Sequence, residues 1–235
     1  MNSSAEPSRG VLDNPVWHSI NEDHRHLGQI AGQAVTYHPE VSPFGGLEEP
    51  TETALNDLTK LVPENGIAAV MTKSDGLPDT SMWKELKAYH ISQMICLDEQ
   101  SAPDHEYVEL SATDVPRMIE LVELTEPGPF DTRTIQFGTY LGVFQKDELV
   151  AMAGERLRPA GWIEISGVCT HPSARGKGLA AALVMELVAR ARSRGEHAFL
   201  NVLKGSPSEE TAIGVYERLG FQFYQPMAIY ALLKL

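Results

Sequence analysis

Two cysteines in 235 residues, Cys96 and Cys169, are too few for a disulfide scaffold. Each sits inside an apolar run, and with no sign of export both read as reduced, packed thiols in a cytoplasmic protein. No CxxC or HExxH spacing occurs, so no metal is expected. No apolar stretch approaches the ~18 residues a membrane helix needs. Residues 1–10 are polar and lack the apolar core of a secretory signal, so none is expected. Basic residues are scarce: 19 Lys and Arg against 32 Asp and Glu give a formal net charge of −13. Such a field repels nucleic acid and anionic membranes and tolerates cationic partners, a class that includes amines at neutral pH. What is present is ordinary for a globular chain, 43% apolar and 22% charged, which excludes wholesale disorder. The length allows one large domain or two small ones.

The patterning divides the chain in two. Residues 1–14 are polar and read as a disordered lead. Residues 15–98 are α/β but vague: 66–71 and 89–97 read as strands, 53–61 and 81–88 as helices, and the Pro- and Gly-rich stretch 38–46 as a loop. Residues 98–104, with Pro103, read as a linker. Residues 105–235 are better marked. A short strand at 107–110 precedes a helix with an N-cap in Ser111 to Asp114 and Pro116 in its first turn. The stretch Thr125-Glu126-Pro127-Gly128-Pro129-Phe130 breaks that helix. Strands are expected at 139–145 and 148–157, joined tightly at Lys146-Asp147, and at 162–170. A helix over 178–193 carries Leu179, Leu183, Leu187 and Ala191 on one stripe and is capped by Gly195. A strand at 198–203, a helix at 207–219 and two strands on either side of Pro226 complete an α/β unit of about 130 residues.

The most informative segment is the passage from strand to helix at Val168-Cys169-Thr170-His171-Pro172-Ser173-Ala174-Arg175-Gly176-Lys177-Gly178-Leu179-Ala180. A helix start carries unpaired N–H groups and partial positive charge, and glycine lets the backbone approach an anion closely. Arg175 and Lys177 add positive charge in an otherwise acidic chain. Phosphate or pyrophosphate is the chemistry such a turn seats, although a bare glycine pair also serves turn geometry alone. A dinucleotide fold is disfavoured, because the next strand ends without an acidic residue for a ribose. A Walker A loop is excluded by the absence of Gly-Lys-Ser/Thr.

Arg175-Gly176-Lys177-Gly178-Leu179-Ala180 resembles the Arg/Gln-x-x-Gly-x-Gly/Ala motif of the GNAT (Gcn5-related) N-acetyltransferase superfamily. About 40 residues on, Ala212-Ile213-Gly214-Val215-Tyr216-Glu217-Arg218-Leu219-Gly220-Phe221 is similar to that family's second signature, Ala-x-x-x-Tyr-x-x-x-Gly-Phe. The resemblance covers residues 105–235. It implies an α/β fold with a mixed, mostly antiparallel central sheet and flanking helices. Residues 15–98 would then be either a degenerate copy of the same fold or an unrelated accessory region. It also implies acetyl-CoA as cosubstrate and a small or peptidic amine as acceptor, with no metal, in a monomer or homodimer. Carried over, Arg175, Gly176, Lys177, Gly178, Leu179 and Ala180 line the pyrophosphate seat. Val168, Cys169 and Thr170 pair with the pantetheine arm through their main chain, and a main-chain N–H there stabilises the oxyanion. Tyr216 holds the general-acid position near the sulfur.

Asn201, a polar residue in an apolar strand, bonds either the cofactor or the neighbouring strand. The family often carries Asn where this chain has Glu209. Glu164 stands where family members often place a base, with burial as the means of raising its basicity; a surface glutamate is the alternative, and Glu155 and Glu126 are weaker candidates. Phe130, Arg133 and Tyr140 are expected to shape the acceptor pocket. The implied function is N-acetyl transfer in a ternary complex; the alternative is a non-catalytic acyl-CoA-binding or regulatory module.

Overall fold

The structure is a computed structural model and describes residues 7–97 and 105–235. In the N-terminal half, helix α1 (Pro15–Asn21) precedes strands β1 (Gly28–Ala31), β2 (Ala34–Tyr37) and β3 (Phe44–Leu47), which pair antiparallel in succession. Helix α2 (Glu52–Thr59) leads to β4 (Ile67–Thr72), parallel to β3, and then to the long β5 (Trp83–Cys96). The C-terminal half runs β6 (Val108–Glu109), α3 (Val115–Thr125), β7 (Tyr140–Gln145), β8 (Glu148–Glu155), β9 (Trp162–Thr170), α4 (Leu179–Ser193), β10 (His197–Leu203), α5 (Glu209–Arg218) and β11 (Phe221–Lys234).

All eleven strands join one sheet in the order β1-β2-β3-β4-β11-β5-β10-β9-β8-β7-β6. The two flanks repeat one succession: an antiparallel trio, a helix, and a strand parallel to the third (β1-β2-β3-α2-β4 and β7-β8-β9-α4-β10). The last strand of each half is exchanged. β5 pairs with β10 of the C-terminal half, β11 pairs with β4 of the N-terminal half, and β5 and β11 pair with each other at the centre. The halves therefore share one sheet. The expected linker at 98–104 lies outside the described residues.

α4 packs Leu179, Leu183 and Leu187 of its expected stripe against Leu141, Ala151, Ala153, Ile165 and Leu200, and Ala191 of that stripe is also buried. The opposite face of β7–β9 is covered by Met118 and Leu121 of α3. Ser111 and Asp114 form a capping box on the 3-10 turn Ala112–Asp114 that leads into α3, and Glu126 ends α3 in the left-handed region at φ 49°. The hairpin between β7 and β8 turns on Lys146 and Asp147, both at positive φ, as a tight two-residue loop requires.

Four expectations change. Of residues 81–88, expected as a helix, 83–88 belong to β5, because Tyr230 to Lys234 of β11 supply a ladder partner that outweighs local propensity. Residues 44–46, read as loop, lie in β3; the glycines admit a neighbour, since a Cβ on Gly46 would lie 2.7 Å from the Trp17 amide nitrogen. The strands expected on either side of Pro226 are one strand with a register shift between Phe223 and Gln225. The polar lead is built from residue 9 onward: Arg9–Asp13 form a 3-10 turn, and Leu12 is fully buried with its carbonyl accepting from Gln93 and Gln225. Residues 1–6 lie outside the described residues.

Candidate functional site

The parallel ladder between β9 and β10 is short, from His197↔Trp162 to Phe199↔Glu164. Beyond it β10 stays with β5 as far as Leu203↔Ile91, while β9 stays with β8 as far as Thr170↔Ala151. The strands diverge, and residues 165–170 of β9 border a fork. Unpaired strand-edge N–H and C=O groups are a template for an added extended chain. β9 is also bulged here. Gly167, at φ 61°, and Val168 stand opposite Ala153 alone, because Cys169 pairs with Met152 and Ser166 with Gly154. A bulge re-aims the peptide groups beside it.

At the open end of the fork β9 passes through a 3-10 turn, Pro172–Ala174, into α4. The His171 ring accepts a hydrogen bond from the Ser173 N–H at 3.2 Å, a loop-shaping role. Arg175 Nε donates to the Thr170 carbonyl at 3.3 Å. Gly176 and Gly178 sit at φ 77° and 78°, and a Cβ on Gly176 would meet nothing within 4 Å. The backbone conformation, rather than crowding, selects glycine there. Arg175, Gly176, Lys177 and Gly178 are all exposed, and beside them the first turn of α4, starting at Leu179 and Ala180, carries the helix's unpaired N–H groups. The corner lies open, with room for an anion.

α5 flanks the fork and buries none of its residues fully. Tyr216 reaches inward from it and meets the Phe221 ring edge-on at 5.8 Å. Burial, with Cys169 of β9 nearby, pushes the Tyr216 phenol up to about 12. Burial likewise raises the Cys169 thiol to about 11, so the sulfur stays protonated and packed.

Glu164 marks the apex of the fork. It is fully buried, which excludes the surface alternative, and it is fully engaged. Arg156 grips it with a two-pronged fork, Nε to Oε2 at 2.8 Å and Nη2 to Oε1 at 2.7 Å. The Asn201 amide donates to Oε1 at 2.7 Å, and the Leu157 N–H approaches Oε2 at 3.4 Å. Asn201 therefore bonds across the diverging strands, while its own Oδ1 is buried without a partner. Glu155 is equally occupied, by Arg158 at 2.9 Å, Arg194 at 2.6 Å and the Thr139 N–H at 3.2 Å. Glu126 is exposed at the end of α3. Glu209 accepts from the Gly205 N–H at 2.6 Å and so shapes the loop before α5.

The expected acceptor residues separate. Tyr140, 1% exposed, is a core residue, since Gly154 opposite it leaves only enough room for its ring. Phe130 packs edge-on against it at 5.8 Å. Arg133 lies at the surface, with Nη2 donating to Gln136 at 3.0 Å and the guanidinium 3.8 Å from Glu40 of the N-terminal half. Arg156 went unseen in the sequence. Its one signal is a charged residue closing an apolar strand, eight positions before Glu164 across a turn. Phe44, whose ring lies 5.0 Å from the Arg156 guanidinium, and Tyr37 reach the apex from a half whose role the sequence left open.

The family profile described as FR47-like protein matches residues 140–228. No curated protein matches the chain. A solved structure assigned to the GNAT family of acetyltransferases, from Novosphingobium aromaticivorans, is 33% identical, with a TM-score of 0.85 over 95% of this chain and 98% of that one. A GCN5-related N-acetyltransferase from Kribbella flavida shares the fold at 17% identity, with a TM-score of 0.60 over 93% of this chain and 95% of that one. Identity at the first of these levels across nearly the whole of both chains, joined to the forked strands and the open glycine turn, makes this chain a member of the GNAT family.

Proposed function

We propose that the protein is an N-acetyltransferase that moves the acetyl group of acetyl-CoA to a primary amine by direct transfer, with both substrates bound. The observation that carries this reading is the fork between β9 and β10, opening onto an exposed, Cβ-free basic turn at a helix start. The residues present suit the cosubstrate. Gly176 and Gly178 leave the backbone bare, Arg175 and Lys177 supply charge for a pyrophosphate, and the first turn of α4 at Leu179 and Ala180 supplies N–H groups. The main chain of Val168, Cys169 and Thr170 offers a strand edge to an amide-bearing arm. When bound, acetyl-CoA supplies an acyl group activated as a thioester. The bulge at Gly167 turns peptide groups beside the fork, where an N–H would stabilise negative charge on the acyl oxygen. Tyr216 keeps its proton well above neutral pH, as a donor to a leaving thiolate must. Glu164, Arg156 and Asn201 order the apex.

Among the described residues, the N-terminal half has no counterpart of the basic glycine turn. The position that corresponds to the fork, between β3 and β4, is narrowed by α1 and the residues before it, with the Asn14 amide donating to the Leu47 carbonyl and Trp17 lying over Gly46, and a cavity of about 550 Å³ remains between Trp17, Leu47 and Thr72. We read this half as a degenerate copy whose cleft is narrowed by α1 and has no basic glycine turn beside it.

Thermal unfolding with added CoA tests the reading. At 100 times Kd the free protein gains about 2.7 kcal/mol, seen as a raised Tm that Arg175→Glu or Gly176→Glu abolishes. An unchanged Tm at millimolar CoA refutes it. CoA release against an amine panel separates turnover from mere binding: Tyr216→Phe should bind CoA as the parent does but release it at least ~100-fold more slowly.

A further inference from the structure

An ammonium cannot attack a thioester until it loses a proton, so the groups at the apex decide which amines the site can use. Glu164 of β9 is faced there by Arg156 from the end of β8, Tyr140 of β7, Tyr37 of β2 and Asn201 of β10. Glu155 faces Tyr140 from the end of β8, and His24 stands behind Tyr37, bonded to its hydroxyl at 2.9 Å. None of these is a free base. Both Glu164 oxygens are taken by the Arg156 guanidinium, and one also by the Asn201 amide. Both Glu155 oxygens are taken by Arg158 and Arg194. Tyr37 and Tyr140 are buried phenols that hold their protons. His24 is buried at 3% exposure and already bonded to Tyr37.

Charge gives the same answer independently. Each of the two carboxylates buried in this half among the described residues has its own guanidinium partner, so no surplus negative charge faces the fork to hold an ammonium. The chain's overall excess of acid is therefore not expressed at the apex. The Asn201 amide adds no base either. A carboxylate can only accept, so the Asn201 amide nitrogen must face Glu164, and its oxygen is thereby fixed on the other side, without a partner among the described residues. That oxygen is buried, so it gives an incoming ammonium neither a counter-charge nor a base.

We propose that this site acetylates amines that reach it uncharged, namely the α-amino groups of peptides and weaker bases, in preference to lysine ε-amines and polyamines. The inference rests on the acetyltransferase reading. Glu164 is then a positioning residue: it orients Arg156 and Asn201 and takes no proton. The amine loses its proton to bulk water before entry. Its nitrogen then forms the bond to the acyl carbon as the carbon–sulfur bond breaks, and the second N–H proton leaves after attack, balanced by the proton that the thiolate gains.

The test uses the full-length protein with glycylglycine (α-amine near 8) and Nα-acetyl-lysine (ε-amine near 10.4) as probes. With CoA release as the readout, log kcat/KM should rise one unit per pH unit and level off at each amine's own value. Nα-acetyl-lysine should therefore still be climbing at pH 9, with its neutral fraction at pH 7.5 roughly 200-fold below that of glycylglycine. Glu164→Gln should keep the shape of both profiles. A binding readout stands beside these. Calorimetry of Nα-acetyl-lysine with the CoA-loaded protein at pH 7.5, in buffers of different ionisation enthalpy, should show about one proton released per amine bound, as its value near 10.4 requires of a neutral ligand. A plateau below pH 7 shared by both amines and lost in Glu164→Gln, or binding without proton release, overturns the inference and leaves the acetyltransferase standing. Binding of CoA with no transfer to either amine at any pH overturns both.

Discussion

Replacing Arg156 with Met removes the guanidinium and keeps most of the side-chain volume over Phe44. Glu164 is then left with no exposure and with only the Asn201 amide and a long contact to the Leu157 N–H. Breaking a buried ion pair from one side costs about 3–5 kcal/mol, most of it the stranded charge. For a chain of this size each kcal/mol lowers Tm by about 2–4 °C, so the loss should be roughly 6–20 °C. Arg156→Met combined with Glu164→Leu removes both charges and should recover most of it, because an apolar pair of similar volume replaces a pair whose attraction is largely offset by its desolvation. The deficit of Arg156→Met should also shrink as the pH falls, since a stranded carboxylate is relieved by taking up a proton. Circular dichroism melts of the four proteins in the cycle, at pH 8 and pH 5, read all three effects. A Tm within 2 °C of the parent for Arg156→Met, or a double variant no better than the single one, would refute the reasoning.

Burial, reinforced by Arg158 and His26, lowers His24 from 6.5 to about 4. The unfolded chain thus binds the extra proton first, so the stabilisation is complete above pH 6.5 and is lost as the pH falls toward 4, about 3 kcal/mol in all. His24→Gln, which can still bond the Tyr37 hydroxyl, should flatten urea-derived stability across that window; an unchanged slope would assign the acid lability elsewhere. Deleting residues 1–98 removes β5 from between β10 and β11 and takes Met94 and Cys96 from the core beneath α4. The remainder should show no cooperative melt, and a soluble fragment that melts sharply and binds CoA would show that the exchanged strand is dispensable.

Much of the C-terminal half was legible because its signals are local. The bounds of β9 follow from an apolar run ended by His171-Pro172, and those of α4 from a 3.6-residue stripe between Gly178 and Gly195. Gly176, Gly178 and Tyr216 were legible for a related reason: backbone conformation and helix spacing fix their environment from nearby residues. Residues 81–88 misled because they lack a buried face, and 83–88 become strand only through a ladder with β11, about 140–150 positions away in sequence. The polar character of residues 1–14 concealed Leu12, whose burial depends on Gln93 and Gln225 meeting beneath it. Glu164 shows the division most clearly. Its place at the fork could be read from the strand that carries it, but its chemistry could not. Sequence by itself determined the main elements of the C-terminal half and the bare glycine turn ahead of α4, since those depend on propensity and on backbone freedom. The tertiary structure decided that the carboxylate at the apex is spoken for, because a guanidinium from the end of one strand and an amide from another meet it only once the sheet has closed around them.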